Sequence, residues 1–476
     1  MDNAAFRKNA HELADWMADY LDGMEKYPVK PTIRPGDIKQ LLPQEAPPSG
    51  ESFTEIFSDF QKIIIPGMTH WQHPQFFAYF PTGASEPSIL AEMLTATLGA
   101  QCMIWQTSPA AEELEERMME WLREMKGLPS HFTGVIQDSS SSSTLVAMLT
   151  AREKKTNFAI NARGFSKLDK FRIYTSTQAH SSVDKAVKIA GFGIDNLVKV
   201  AVDTDFAMET DALENAIQQD IASGYVPLCV VATIGTTSST AIDPIEKIGL
   251  ICKKYGCWLH IDASYAGTAL LLPEMRWMGE GTELADSYVF NPHKWMFTNF
   301  DCSAYFVADK ASLIKTFSIL PEYLKTPEDQ LVNNYRDWGI PLGRRFRALK
   351  LWFVIRTYGI SGLQEKIREH LAFANWLKNR IALHPSFEIM APVPLNLVCF
   401  RWKPTGIEEE AQLDKLNQQL LERLNASGKI LLTQTRLNDR YVIRFVAGQT
   451  HTRLEHVMKG WQIITNEAQE LAKSLS

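Results

Sequence analysis

Residues 287–307 read SYVFNPHKWMFTNFDCSAYFV. Two apolar runs rich in aromatic and β-branched residues, SYVF (287–290) and SAYFVAD (303–309), flank an insert that opens with Asn291, Pro292, His293 and Lys294. Runs of this kind predict strands buried on both faces, and open α/β sheets bind ligands at the carboxyl ends of such strands. Lys294 stands among Val289, Phe290, Trp295, Met296 and Phe297. An amine deprived of water holds its proton less tightly, so this lysine is a candidate Schiff-base nucleophile. A lysine in an apolar patch more often snorkels to solvent, so Lys294 alone proves little.

The same pattern extends outward on both sides. GVIQ (134–137), FRIYTST (171–177), LCVVATIG (228–235) and WLHID (258–262) repeat the short apolar run, separated by amphipathic stretches at 144–155, 182–190, 209–219 and 244–255. This alternation predicts an α/β unit with a mostly parallel sheet covered on both faces. Upstream, Phe6, Leu13, Met17, Tyr20 and Leu21 fall at helical spacing, followed by the Pro-rich LLPQEAPPSG (41–50) and the aromatic-dense segment 63–83. Beyond 361 come two helical stretches, three strands (FEIMAP, LVCFRWKP, YVIRFVAG) and a charged terminal helix, the pattern of a small α+β domain. The expected division is therefore 1–83, a helical arm; 84–360, a large domain; and 361–476, a small domain.

Composition narrows the function. The 476 residues carry 49 Lys+Arg against 55 Asp+Glu, a formal charge of −6, without the basic excess that nucleic-acid binding requires. No apolar run approaches the ~18 residues of a membrane span, and the first twenty residues lack a signal-peptide pattern. The six cysteines form no CxxC pair and no zinc spacing, which predicts reduced thiols, a cytoplasmic protein and no metal. HExxH, GxSxG, GxxxxGK and GxGxxG are all missing from the sequence.

Three more pieces sit at the carboxyl ends of predicted strands. In WLHIDASYAG, Asp262 precedes the small residues Ala263 and Ser264; such a carboxylate suits the pyridinium nitrogen of a flat cofactor, although an Asp there more often caps a turn. In GVIQDSSSSSTLVAMLTAREKK, five serines including Ser139, Ser140 and Ser141, with Thr144, approach a helix whose free amides make a phosphate cradle. In YTSTQAHSSVDKAVKIAG, His180 lies between a strand and a helix, where a histidine is more often exposed or capping. Four such pieces on four separate strand ends are poorly explained by coincidence.

Taken together, SYVFNPHKW, HIDASYAG, STQAHSSVDKA, HWQHPQFFAYFP and PLGRRFRALKLWF resemble the aromatic-L-amino-acid decarboxylases, group II decarboxylases dependent on pyridoxal 5′-phosphate (PLP). The resemblance covers almost the whole chain. It implies the fold type I, aspartate-aminotransferase-like architecture and a homodimer with active sites at the subunit interface. It also implies that Lys294 binds PLP as a Schiff base, Asp262 pairs with the pyridine nitrogen, and His180 stacks on the ring opposite Ala263 and Ser264. Ser139, Ser140, Ser141 and Asn291 would take the phosphate with His293 nearby, and Thr237 would lie beside the cofactor. Tyr323, in SILPEYLKTPEDQLVNNYRDWG, matches the tyrosine on a mobile lid that protonates Cα.

The matching substrate residues are Trp71, Tyr79, Phe80, Pro81 and Thr82, an aromatic wall that would equally suit packing at a dimer interface. Gln101 and Met103 stand where the animal enzymes have Ile and Phe, and Gly343 is the small residue of members that admit an indole. The implied reaction converts L-DOPA, tyrosine, tryptophan, 5-hydroxytryptophan or phenylalanine to the arylalkylamine and CO2. Family members with Phe for Tyr323 or Asn for His180 look like aldehyde synthases that consume O2; both residues are retained here. A catalytically silent PLP-fold binding protein is the alternative from another class.

Overall fold

The computed structural model describes residues 1–319 and 331–473. The apolar runs become β1 (Thr133–Gln137), β2 (Phe171–Ser176), β4 (Val226–Thr233), β5 (Trp258–Asp262), β6 (Ser287–Phe290) and β7 (Ser303–Val307), joined by β3 (Leu197–Val200). Among the described residues they form a seven-stranded sheet in the order β1-β7-β6-β5-β4-β2-β3. The pairs β2–β3, β2–β4, β4–β5 and β5–β6 are parallel, whereas β7 runs antiparallel to both β1 and β6. The chain between β6 and β7 holds a single helical turn, Pro292–Trp295, too little to return it for a parallel crossover. Because β1 and β6 both oppose β7, they run the same way, and the carboxyl ends of β1, β2, β4, β5 and β6 share one edge.

The core of this sheet is aliphatic and aromatic: Val135, Ile173, Val231, Trp258, Val289 and Tyr305 meet Val146, Met148, Val183 and Val187 from the covering helices. Burying each such side chain contributes about 1.5–3 kcal/mol, enough to fix the strand ends that carry polar residues. The helix after β1 spans Ser140–Lys155. The sequence pattern starts it at Thr144 and leaves the serines as an approach; instead, Ser139 is the N-cap, its hydroxyl accepting the Ser142 amide at 3.3 Å, and Ser140–Ser143 are the first turn. Serine competes poorly in helix interiors but well at caps, and here the cap wins.

These strands belong to a compact unit made of Thr82–Ala372 and Ala391–Leu397; the other unit comprises Met1–Pro81, Phe373–Met390 and Val398–Ser476. The second unit contains helices Asn3–Asp22, Glu410–Ala426 and Leu454–Lys473. Its sheet has β8 (Phe387–Ile389), β9 (Leu397–Trp402), β10 (Thr433–Leu437) and β11 (Arg440–Val446) in the order β10-β11-β9-β8. Within it, Phe76 bridges to Leu431, and Val29, Phe76, Ala78 and Leu431 form a small core capped by Trp71.

Candidate active site

Backbone pairing assembles the site. Asp262 ends β5 opposite Thr233 of β4 and Val289 of β6. The Ala263 amide donates to the Val289 carbonyl at 2.9 Å and the Asn291 amide to the Ser264 carbonyl at 2.9 Å, extending the pairing past the sheet. Lys294 closes the next turn, its amide on the Asn291 carbonyl at 3.0 Å. Gly83 donates its amide to the carbonyls of His293 and Lys294 at 2.9 and 3.1 Å. A Cβ at Gly83 would stand 2.9 Å from the Lys294 oxygen, so this close approach requires glycine.

The electrostatics follow from burial and two charges. Lys294 keeps a little accessible surface, as a nucleophile must, while burial of its amine lowers its pKa and nearby Asp262 partly opposes that shift. Asp262 is buried and accepts from the amide (3.0 Å) and the hydroxyl of Ser264. His180 senses both Asp262 and Lys294, and burial is the largest cause lowering its pKa. Its Nδ1 lies 2.9 Å from the Ser182 hydroxyl and accepts the Ser182 amide at 3.1 Å. His293 accepts the Cys302 amide on Nδ1 at 2.9 Å, and burial first, then Lys294, brings its pKa to about 3. His260, two residues before Asp262 on β5, is fully buried against Ser287 (Nδ1 to Oγ, 2.8 Å), and burial takes it to about 4. Both imidazoles are therefore neutral near pH 7.

On the other flank, the Ser140 hydroxyl donates to Oδ1 of Asn291 at 2.7 Å, both residues buried, while Ser139 is partly exposed and Ser141 exposed. Thr237 is exposed on the turn after β4, closed by the Gly235 and Thr236 amides on the Ala241 carbonyl. Asp243 braces that turn: its carboxylate accepts the Thr233 amide at 2.7 Å and the Met208 amide at 2.8 Å, and burial raises its pKa to about 6. The sequence reading overlooked Gly83 and Asp243, which act through main-chain amides.

Gln101 and Gly343 meet in a second cluster. The Arg344 amide donates to Oε1 of Gln101 at 2.6 Å, the Gln101 carbonyl accepts the Thr107 and Ser108 hydroxyls, and the Met103 carbonyl accepts the Arg336 amide at 3.0 Å. Thr82 precedes Gly83 in the same unit. Trp71, Tyr79, Phe80 and Pro81 belong to the other unit, where the Trp71 ring stacks on Tyr79 with centroids 5.7 Å apart and the Arg444 guanidinium lies 5.5 Å from the Phe80 ring. Tyr323 lies outside the described residues. Among the described residues, no cluster of His, Cys, Asp or Glu could hold a metal, and no helix is long and apolar enough to cross a membrane.

The family model for the pyridoxal-dependent decarboxylase conserved domain matches residues 35–403. The chain belongs to the pyridoxal-dependent decarboxylases. It is 43% identical to the aromatic-L-amino-acid decarboxylase of Mus musculus, the match covering 100% of this chain and 99% of that protein. It is 41% identical to the phenylacetaldehyde synthase of Arabidopsis thaliana, over 99% of this chain and 97% of that one. The crystal structure of Oryza sativa TDC with PLP and tryptamine superposes with a TM-score of 0.96 at 34% identity, covering 99% of each chain. This decarboxylase is accordingly a PLP-dependent carboxy-lyase, and its mostly parallel seven-stranded sheet belongs to the fold of the structure it superposes on.

Proposed function

We propose that this decarboxylase removes CO2 from aromatic L-amino acids and releases the arylalkylamine. The observation that carries the reading is the convergence, at one sheet edge, of a desolvated but reachable Lys294, buried Asp262, His180 and the Ser140–Asn291 pair. This donor set fits PLP: an amine to hold the aldehyde carbon, a carboxylate for the ring nitrogen, an imidazole for the ring face, and hydroxyls at a helix N-terminus for the phosphate.

When bound, PLP supplies an electron sink for the pair left on Cα as CO2 departs. Lys294 would hold the cofactor through its amine, the group a substrate amine would replace. Asp262 keeps the ring nitrogen protonated; its ties to Ser264 aim the carboxylate without neutralising it. Ala263 and Ser264 would line one ring face and His180 the other, Ser139, Ser140, Ser141, Asn291 and His293 would hold the phosphate, and Thr237 would lie beside the ring. Tyr323 returns the proton to Cα. Trp71, Tyr79, Phe80, Pro81, Thr82, Gln101, Met103 and Gly343 shape the aromatic-ring pocket; the mouse relative's name and the tryptamine complex support that substrate class.

The same reading includes a homodimer with the active sites at the subunit interface. Leu90, Met93, Leu94 and Leu98 are exposed at helical spacing on Glu86–Leu98, just before Gln101, the kind of apolar stripe that a second copy covers. Six free, buried cysteines suit a reducing compartment, the cytoplasm. A second reading, aldehyde synthase, draws on the Arabidopsis relative; the retained Tyr323 and His180 favour the amine. The test is purified enzyme with PLP offered aromatic and acidic amino acids, with amine, aldehyde, CO2 and peroxide all quantified. Amine and CO2 in equal amounts from aromatic substrates support the proposal; aldehyde with peroxide, or turnover of acidic substrates alone, overturns it.

A further inference from the structure

We propose that Ser182 is a positioning residue: its amide and hydroxyl, at the start of helix Ser182–Ile189, hold His180 as the neutral imidazole with its proton on Nε2, so that His180 serves the reaction as a neutral donor and not as an imidazolium. The inference rests on the proposed place of His180 in the active site.

The chemistry of one nitrogen decides the tautomer. A backbone amide only donates, and the Ser182 amide lies 3.1 Å from Nδ1 of His180, so that nitrogen presents its lone pair. The Ser182 Oγ is 2.9 Å from the same atom and must then donate its hydroxyl hydrogen. A neutral imidazole has one N–H, which therefore sits on Nε2. Ser182 is buried while His180 is exposed, so the locked edge faces protein and the rest of the ring is open.

Charging the ring would place a second N–H on Nδ1, against the Ser182 amide. It would also put a cation at a helix N-terminus, where the dipole favours anions. The charged groups facing His180 oppose one another: Asp262 and Asp184 favour the imidazolium, Lys294 and Lys185 disfavour it. The Ser182 amide and the helix terminus then decide for the neutral form. A neutral imidazole N–H is a very weak acid, so a ring so held donates a hydrogen bond through Nε2 and the proton that replaces CO2 at Cα comes from another group.

The test is nitrogen-15 magnetic resonance of histidine-labelled holoenzyme, with His180 assigned by the signal lost in His180→Asn. The expected result is the Nε2–H tautomer from about pH 8 down to about pH 6, without titration. Ser182→Ala keeps the amide and loses only the hydroxyl, so the Nε2–H tautomer should persist at pH 8 while His180 begins to titrate towards pH 6 and kcat falls about tenfold with KM nearly unchanged; Ser182→Thr should restore both. A wild-type His180 that is Nδ1–H or imidazolium at pH 7, or a Ser182→Ala enzyme with unchanged titration and kcat, overturns the proposal. These readouts follow a proton on the resting protein; an enzyme that makes no arylalkylamine would instead sink the proposed function and leave the tautomer standing.

Discussion

The hydroxyl of Ser140 donates to the side-chain oxygen of Asn291 across 2.7 Å, tying the first turn of the helix after β1 to the turn after β6 that carries Lys294. The two residues are buried and lie 151 positions apart in sequence, so neither strand end can shift without breaking a bond that water does not replace. Ser140→Ala and Asn291→Ala should each weaken PLP binding about tenfold, and the double variant should be little worse than either single one. Fluorescence titration of the apoenzyme with PLP measures this; fully additive losses would show that the pair does not act as a unit.

Asp262 is the only carboxylate that electrostatically touches both Lys294 and His180 among the described residues. Asp262→Ala should retain part of the cofactor, still anchored through Lys294 and the serine flank, yet lose about a hundredfold to a thousandfold in kcat. Single-turnover CO2 release alongside cofactor content separates the two effects. Turnover within a few-fold of wild type would contradict the role assigned to this carboxylate.

Gly343 faces Gln101 closely: a Cβ there would stand 3.0 Å from Nε2, and the Arg344 amide already pins Oε1 of the same side chain. Gln101 therefore has limited freedom to retreat. Gly343→Ser should lower kcat/KM for tryptophan relative to tyrosine about tenfold, and Gln101→Ala in the same chain should recover part of the loss. Competition kinetics with paired substrates reads this ratio. An unchanged ratio would remove the two residues from the ring pocket.

Glu112, buried on helix Pro109–Lys126, has its pKa raised to about 8, by burial first and Glu115 next, against the pull of Arg344. Because the folded value exceeds the unfolded one, the stability it contributes is complete below about pH 4.5 and is lost as pH rises through about 8. Glu112→Gln keeps the shape without the proton, so its melting temperature should exceed that of wild type by a few degrees near pH 9 and converge with it near pH 5. Calorimetry across that range checks the sign; parallel curves would contradict it.

The legible parts of this sequence are those where side-chain type and burial agree. WLHID matches β5 residue for residue because all five positions are buried, and SYVF matches β6 for the same reason. LVKV, which became β3, is buried only at Val200, and TQTRL, which became β10, only at its two ends, so neither shows the continuous apolar run that marks the central strands. Lys294, Asp262, His180 and the serines were visible as reactive or anion-binding types at strand ends. Gly83 was not: it works by lacking a Cβ and donating an amide, and its residue type does not advertise that in a sequence.

The central claim is that the Lys294 amine carries the cofactor. Holoenzyme reduced with borohydride and digested should yield one phosphopyridoxyl-modified peptide, NPHKW-containing, with the adduct on Lys294, and Lys294→Ala should give none. An adduct confined to any other lysine, or a stoichiometric complex that borohydride leaves unmodified, would contradict the account.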